Sequence, residues 1–145
     1  MPNIPPLRTQ LWFTSKLFDI EPDEDLLTNP RRYGKALANW LSSSLGRQGI
    51  EVAEVFPEDW GWCLMVKTTP FRLWIGCGNV DTRQSPDEPP PDGCDVVWTC
   101  IVVAEVPLLK RLFVPPDTSQ AVDELFMHLT RIVAEAPSTE MVEEP

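Results

Sequence analysis

Residues 59 to 78 constrain the fold of this chain more than any other stretch. They read Asp59-Trp60-Gly61-Trp62-Cys63-Leu64-Met65-Val66-Lys67-Thr68-Thr69-Pro70-Phe71-Arg72-Leu73-Trp74-Ile75-Gly76-Cys77-Gly78 and carry three of the six tryptophans and two of the four cysteines. Trp60 to Val66 is an apolar run of strand length. Phe71 to Ile75 is a second, and Lys67-Thr68-Thr69-Pro70 is the turn between them. Pro70 cannot donate a ladder hydrogen bond, so it belongs in the turn or at a strand's first residue. Gly76 and Gly78 are expected to end the second strand. Neither strand alternates cleanly. Trp62, Leu64 and Val66 share one face, and Cys63 and Met65 the other. Phe71, Leu73 and Ile75 likewise oppose Arg72 and Trp74. A strand apolar on both sides needs cover on both sides.

Around this hairpin the chain reads as strand, helix, four strands, helix. A first strand is expected near Gln10 to Phe18. Asn29 as cap and Pro30 at the first helical position open a helix carrying Tyr33, Leu37, Trp40, Leu41 and Leu45 on one stripe. Ile50 to Phe56 alternates as a half-exposed strand, and Val96 to Glu105 is the most apolar strand, suited to the sheet centre. Val122, Leu125, Phe126, Leu129, Ile132 and Val133 mark a second helical stripe. The expected class is α+β: a mostly antiparallel sheet of about five strands, ordered β-α-β-β-β-β-α, with both helices on one face. A β-α-β crossover between the first two strands would make that sheet mixed. With 145 residues the chain forms one domain over 1–145, with a long acidic, proline-rich loop at 79–95 and an acidic tail at 138–145 expected to fray.

The formal net charge of −10 opposes binding to a nucleic-acid backbone and favours a basic protein partner, if it does more than confer solubility. No apolar run has the length of a membrane span, and residues 1–6 lack a secretory pattern, so the cytoplasm is the expected compartment. The basic residues Arg31, Arg32 and Lys35 oppose the dipole of the first helix. Pairing with the acidic segment Asp19 to Asp25 accounts for them.

Cys63, Cys77, Cys94 and Cys100 show no Cys-x-x-Cys spacing, and His128 is the sole histidine. No metal, cofactor or catalytic residue is therefore assigned. Cys77 between two glycines is the most suggestive thiol, but Asp81 is its nearest charge and does not favour a thiolate. Arg72, beside Trp74, is either an anchor for a partner or anion, or pairs with an acid such as Glu58 or Glu105.

Pro57-Glu58-Asp59-Trp60-Gly61-Trp62 and Phe71 to Gly78, with Arg32-Tyr33-Gly34-Lys35-Ala36-Leu37 and Val103 to Arg111, resemble small acidic bacterial proteins of unassigned function. In size, acidity and tryptophan-bearing strands the chain is also similar in style to toxin-immunity and phage anti-defence proteins. The resemblance implies no activity.

The functional expectation is thus a non-enzymatic protein-binding module, of inhibitor or immunity type. Its candidate partner-binding residues are Trp60, Arg72, Trp74, Trp98, Asp87, Glu88 and Asp92. The alternative is a small enzyme or ligand-binding protein with a pocket near Arg72, Trp74 and Cys77. A homodimer burying the second sheet face is a third arrangement.

Overall fold

The computed structural model describes residues 8–112 and 116–145. Its strands are β1 (Arg8–Ser15), β2 (Glu54–Glu58), β3 (Gly61–Lys67), β4 (Arg72–Asn79), β5 (Trp98–Glu105) and β6 (Thr139–Val142). Its helices are α1 (Lys35–Arg47), the single turn α2 (Leu108–Arg111) and α3 (Ser119–Glu135). The sheet order is β2-β3-β4-β5-β1-β6, and every pairing is antiparallel.

The expected α+β class holds, with two long helices over one antiparallel sheet and six strands where about five were expected. The meander β2-β3-β4-β5 follows the chain order. β1 enters beside β5 and runs antiparallel to it, so the crossover that would have mixed the sheet does not occur. The sixth strand comes from the tail. Thr139 to Val142, expected to fray, pair with Ser15 to Trp12. The Ser15 and Thr139 hydroxyls lie 2.8 Å apart and fasten the start of that pairing.

Both helical stripes pack on one face. Leu37, Ala38, Leu41 and Leu45 of α1, and Val122, Leu125, Leu129 and Val133 of α3, meet Phe13, Leu64, Ile75, Trp98, Cys100 and Val102 of the sheet. Burying one such aliphatic side chain contributes about 1.5–3 kcal/mol. Phe18 joins this core edge-on to Phe13, Trp40 and Trp98.

α1 begins at Lys35 and not at Pro30, which lies in a turn. Arg31 takes a positive φ of 66°, and the Asn79 side chain holds both flanks of the next residue. Asn79 accepts from the Tyr33 N–H at 2.9 Å and donates to the Arg31 carbonyl at 3.2 Å. The cap is supplied from a distance. The buried Glu24 carboxylate accepts from the N–H groups of Gly34 (2.9 Å), Lys35 (3.3 Å) and Glu21 (3.2 Å). A carboxylate there satisfies orphan donors and complements the positive end of the helix dipole. Of the basic residues expected to pair with the acidic segment, Lys35 does so, with Glu21 at 2.9 Å; Asp25 accepts from the Arg31 backbone N–H, while the Arg31 guanidinium turns to Asp81, outside that segment.

The loop at 79–95 is anchored. Arg31 Nη1 donates to the carbonyls of Glu88 and Pro89, and Arg31 Nε lies 3.7 Å from Asp81. Gly93 is buried so closely against the Phe18 carbonyl that a Cβ would fall 1.7 Å from its oxygen.

Candidate functional site

The sheet face opposite the helices is built by alternate residues of five strands. Register places Phe56, Cys63, Gly76, Ile101 and Gln10 in one row across it. Met65, Trp74 and Val103 form the next, and Gly78, Thr99 and Trp12 a third. Cys63, Met65 and Val103 are buried, yet stand outside the main core. Among the described residues neither long helix packs on this side; Trp60 lies over part of it, against Gly76 and Trp74.

Trp60 sits in the tight turn between β2 and β3 and folds back over the sheet. Its indole stacks on Trp74, with centroids 5.5 Å apart and planes inclined by 26°. Gly76 makes room beneath it. A Cβ there would lie 3.0 Å from two carbons of the Trp60 ring and 3.0 Å from Ile101. This is why Gly76 lies inside β4, contrary to the expectation that it ends the strand: its missing side chain seats an aromatic ring. Gly61 serves the turn itself, with φ at 151° and the Cys77 carbonyl oxygen 2.4 Å from where its Cβ would be.

Beside the stacked pair is an open depression of about 430 Å³, lined by Gln10, Trp60, Trp74, Gly76, Ile101 and Glu105 among others. Its polar wall is preorganised. Gln10 Nε2 donates to Thr99 Oγ1 at 2.9 Å, and that hydroxyl donates to the Leu11 carbonyl at 3.0 Å. At the rim, Arg72 Nη1 lies 3.8 Å from Glu105 Oε2, its direct cross-strand neighbour, with both side chains about half exposed. Of the two structural acids considered for Arg72, Glu105 is the one it pairs with.

The face is electrostatically negative around Cys63. Burial, followed by Glu58, Glu105 and Glu54, pushes the Cys63 thiol up to about 12, with Arg72 opposing. A thiol so placed stays protonated and packs as a small apolar group.

The structure thus brings together Trp60, Trp74 and Arg72 of the expected partner-binding residues. Trp98 is a correction. It is 1% exposed, on the helix side, with its indole N–H donated to the Gly93 carbonyl at 3.1 Å. Its place in the central strand turns it into the core. Asp87, Glu88 and Asp92 are exposed on the 79–95 loop, but none lines the depression. The Glu88 carboxylate is engaged by the Gln84 N–H. Cys77 needs a second correction. Its backbone passes the depression, but its thiol points into the core, 3.9 Å from the Cys100 thiol. Burial and that neighbouring thiol push it well up. His128 Nδ1 is hydrogen-bonded with Gln48 Oε1, which ties α3 to the end of α1.

Sequence reasoning missed Gln10, Thr99, Ile101 and Val103. They are alternate residues of two strands far apart in the chain, and only the β1–β5 pairing places them together. Among the described residues, no three His, Cys, Asp or Glu side chains are grouped to hold a metal ion, and no helix is long and apolar enough to cross a membrane. Comparison with protein-family models, curated proteins and solved structures finds no match to this chain.

Proposed function

We propose that this protein is a non-enzymatic binding module, of inhibitor or immunity type, that engages a basic protein in the cytoplasm through the sheet face carrying Trp60 and Trp74. The observation that carries this reading is Trp60. A large aromatic ring 41% exposed, rigidly seated on a glycine and a second tryptophan, is the kind of anchor on which interface energy concentrates. Glu105 lines the depression with it, and Glu54 and Glu58 act with Glu105 on Cys63 of the same face; on a chain of net charge −10 this supports a basic partner and speeds its encounter. The test is affinity capture from the native host with the wild-type chain and with Trp60→Ala. A basic protein retained by the first and lost by the second is expected; capture unaffected by Trp60→Ala overturns the assignment of the face.

The depression favours a second reading, a small-ligand site. Its volume and its fixed Gln10–Thr99 wall suit a small polar-aromatic molecule. A metabolite retained through native mass spectrometry, and released by Trp74→Ala, would support that reading over the first.

A further inference from the structure

The protein-binding reading leaves open which chemical group the face accepts. We infer that the depression beside Trp60 and Trp74 receives one arginine side chain of the partner, with Glu105 as its counter-ion, and that Arg72 is the chain's own cation competing for that carboxylate. The inference rests on the protein-binding reading above.

Three observations point to a cation. Tryptophan is the best aromatic partner for one, and the stacked pair presents Trp60 with 41% of its surface open. Glu105 lines the depression together with both rings. The charge around the neighbouring Cys63 is negative, since among the described residues Glu58, Glu105 and Glu54 act on it against Arg72. An anionic group would meet those carboxylates, and an apolar group would desolvate Glu105 without compensation. A guanidinium does both jobs, stacking on the indole and offering a fork of donors to the carboxylate.

Arg72 is placed as a competitor and not as part of the lining. It approaches Glu105 from the strand end and does not line the depression. At 3.8 Å the contact is longer than a hydrogen bond, and both side chains are about half exposed. Such an exposed pair is weak and easily exchanged for a better-placed cation. Removing Arg72 therefore frees Glu105. An Arg72 that anchored a partner's acid would behave in the opposite way.

The test is isothermal titration of the full chain with the synthetic peptide Gly-Ser-Arg-Gly-Ser and with its citrulline counterpart, which keeps the shape and loses the charge. The arginine peptide is expected to bind, with the citrulline peptide at least tenfold weaker. Trp60→Ala and Glu105→Gln each weaken the arginine peptide about tenfold. Arg72→Ala tightens it at least threefold, whereas Arg131→Ala, which removes the same charge from α3, leaves it within twofold. The inference is overturned if neither peptide binds, if both bind equally, if Arg72→Ala weakens binding, or if Arg131→Ala tightens it as much. Should those peptide arms fail while capture of the native partner still depends on Trp60, the cation site falls and the protein-binding reading stands. Should capture be indifferent to Trp60 while the peptide arms succeed, the reverse holds.

Discussion

Trp60 lies stacked on Trp74 at 5.5 Å, although the two belong to a turn and a strand separated by β3. The contact exists because Gly76, two residues beyond Trp74, offers no side chain where the Trp60 ring comes down. One glycine thereby decides whether this face presents an ordered aromatic surface or a loose indole.

Gly76→Ala is expected to lift Trp60 off the sheet. The new Cβ would crowd the ring and the Ile101 methyl at 3.0 Å, and both can shift, so stability changes by only about 1 kcal/mol. Iodide quenching of tryptophan emission should rise, and rise less in a Trp60→Phe background. Gly61→Ala is expected to behave differently. Its Cβ would meet the backbone oxygen of Cys77 at 2.4 Å with φ at 151°, and the cost is about 3 kcal/mol or more by urea denaturation. Equal effects of the two substitutions would refute this division.

Glu24→Ala is expected to lower stability by about 2 kcal/mol, because it strands the buried Gly34 N–H and removes the charge at the start of α1. For a chain of this size that corresponds to a fall in Tm of roughly 6 °C. Glu21→Ala, which removes an exposed pair with Lys35, should move Tm little. A calorimetric scan of both variants checks the contrast.

The cysteines predict both a reactivity count and a pH limb. Cys94 is exposed and the other three are buried, so Ellman's reagent should find one fast thiol in the native protein and four in urea. The Cys63 thiol is raised from an ordinary value near 9 to about 12 by burial and then by Glu58. A group whose folded pKa is raised contributes stability that is complete below the unfolded value and is lost as pH climbs toward the folded one. The urea midpoint should therefore fall between about pH 9 and about pH 12. Cys77 is raised as well and adds to the same limb. Cys63→Ala should make the fall shallower; an unchanged slope would show that Cys63 does not contribute.

Much of the fold is legible in the chain. The apolar runs at 60–66 and 71–75 are strands, the two stripes are helices, and the run from Trp98 is the central strand. These patterns are local, because a strand or helix face repeats within a few residues. The same local reading, that strands apolar on both sides need cover on both sides, pointed to a second sheet face carrying Cys63, Met65, Arg72 and Trp74. It failed where the partner is distant. Pro30 has the form of a helix start, yet Glu24 and Asn79 hold the backbone in a loop until Lys35. Trp98 has the form of a binding aromatic, yet its strand position turns it inward onto the Gly93 carbonyl.

The sequence by itself determined the class of this protein, its hairpin and the existence of a second apolar sheet face, since composition and period dictate which side chains leave water. Only the tertiary structure decided that the tail is a strand beside β1, that Gln10 and Thr99 line the same depression as Trp74, and that Trp60 rests on Gly76. Those contacts join residues far apart in the chain, and their energy is gained only after the sheet has brought the strands together.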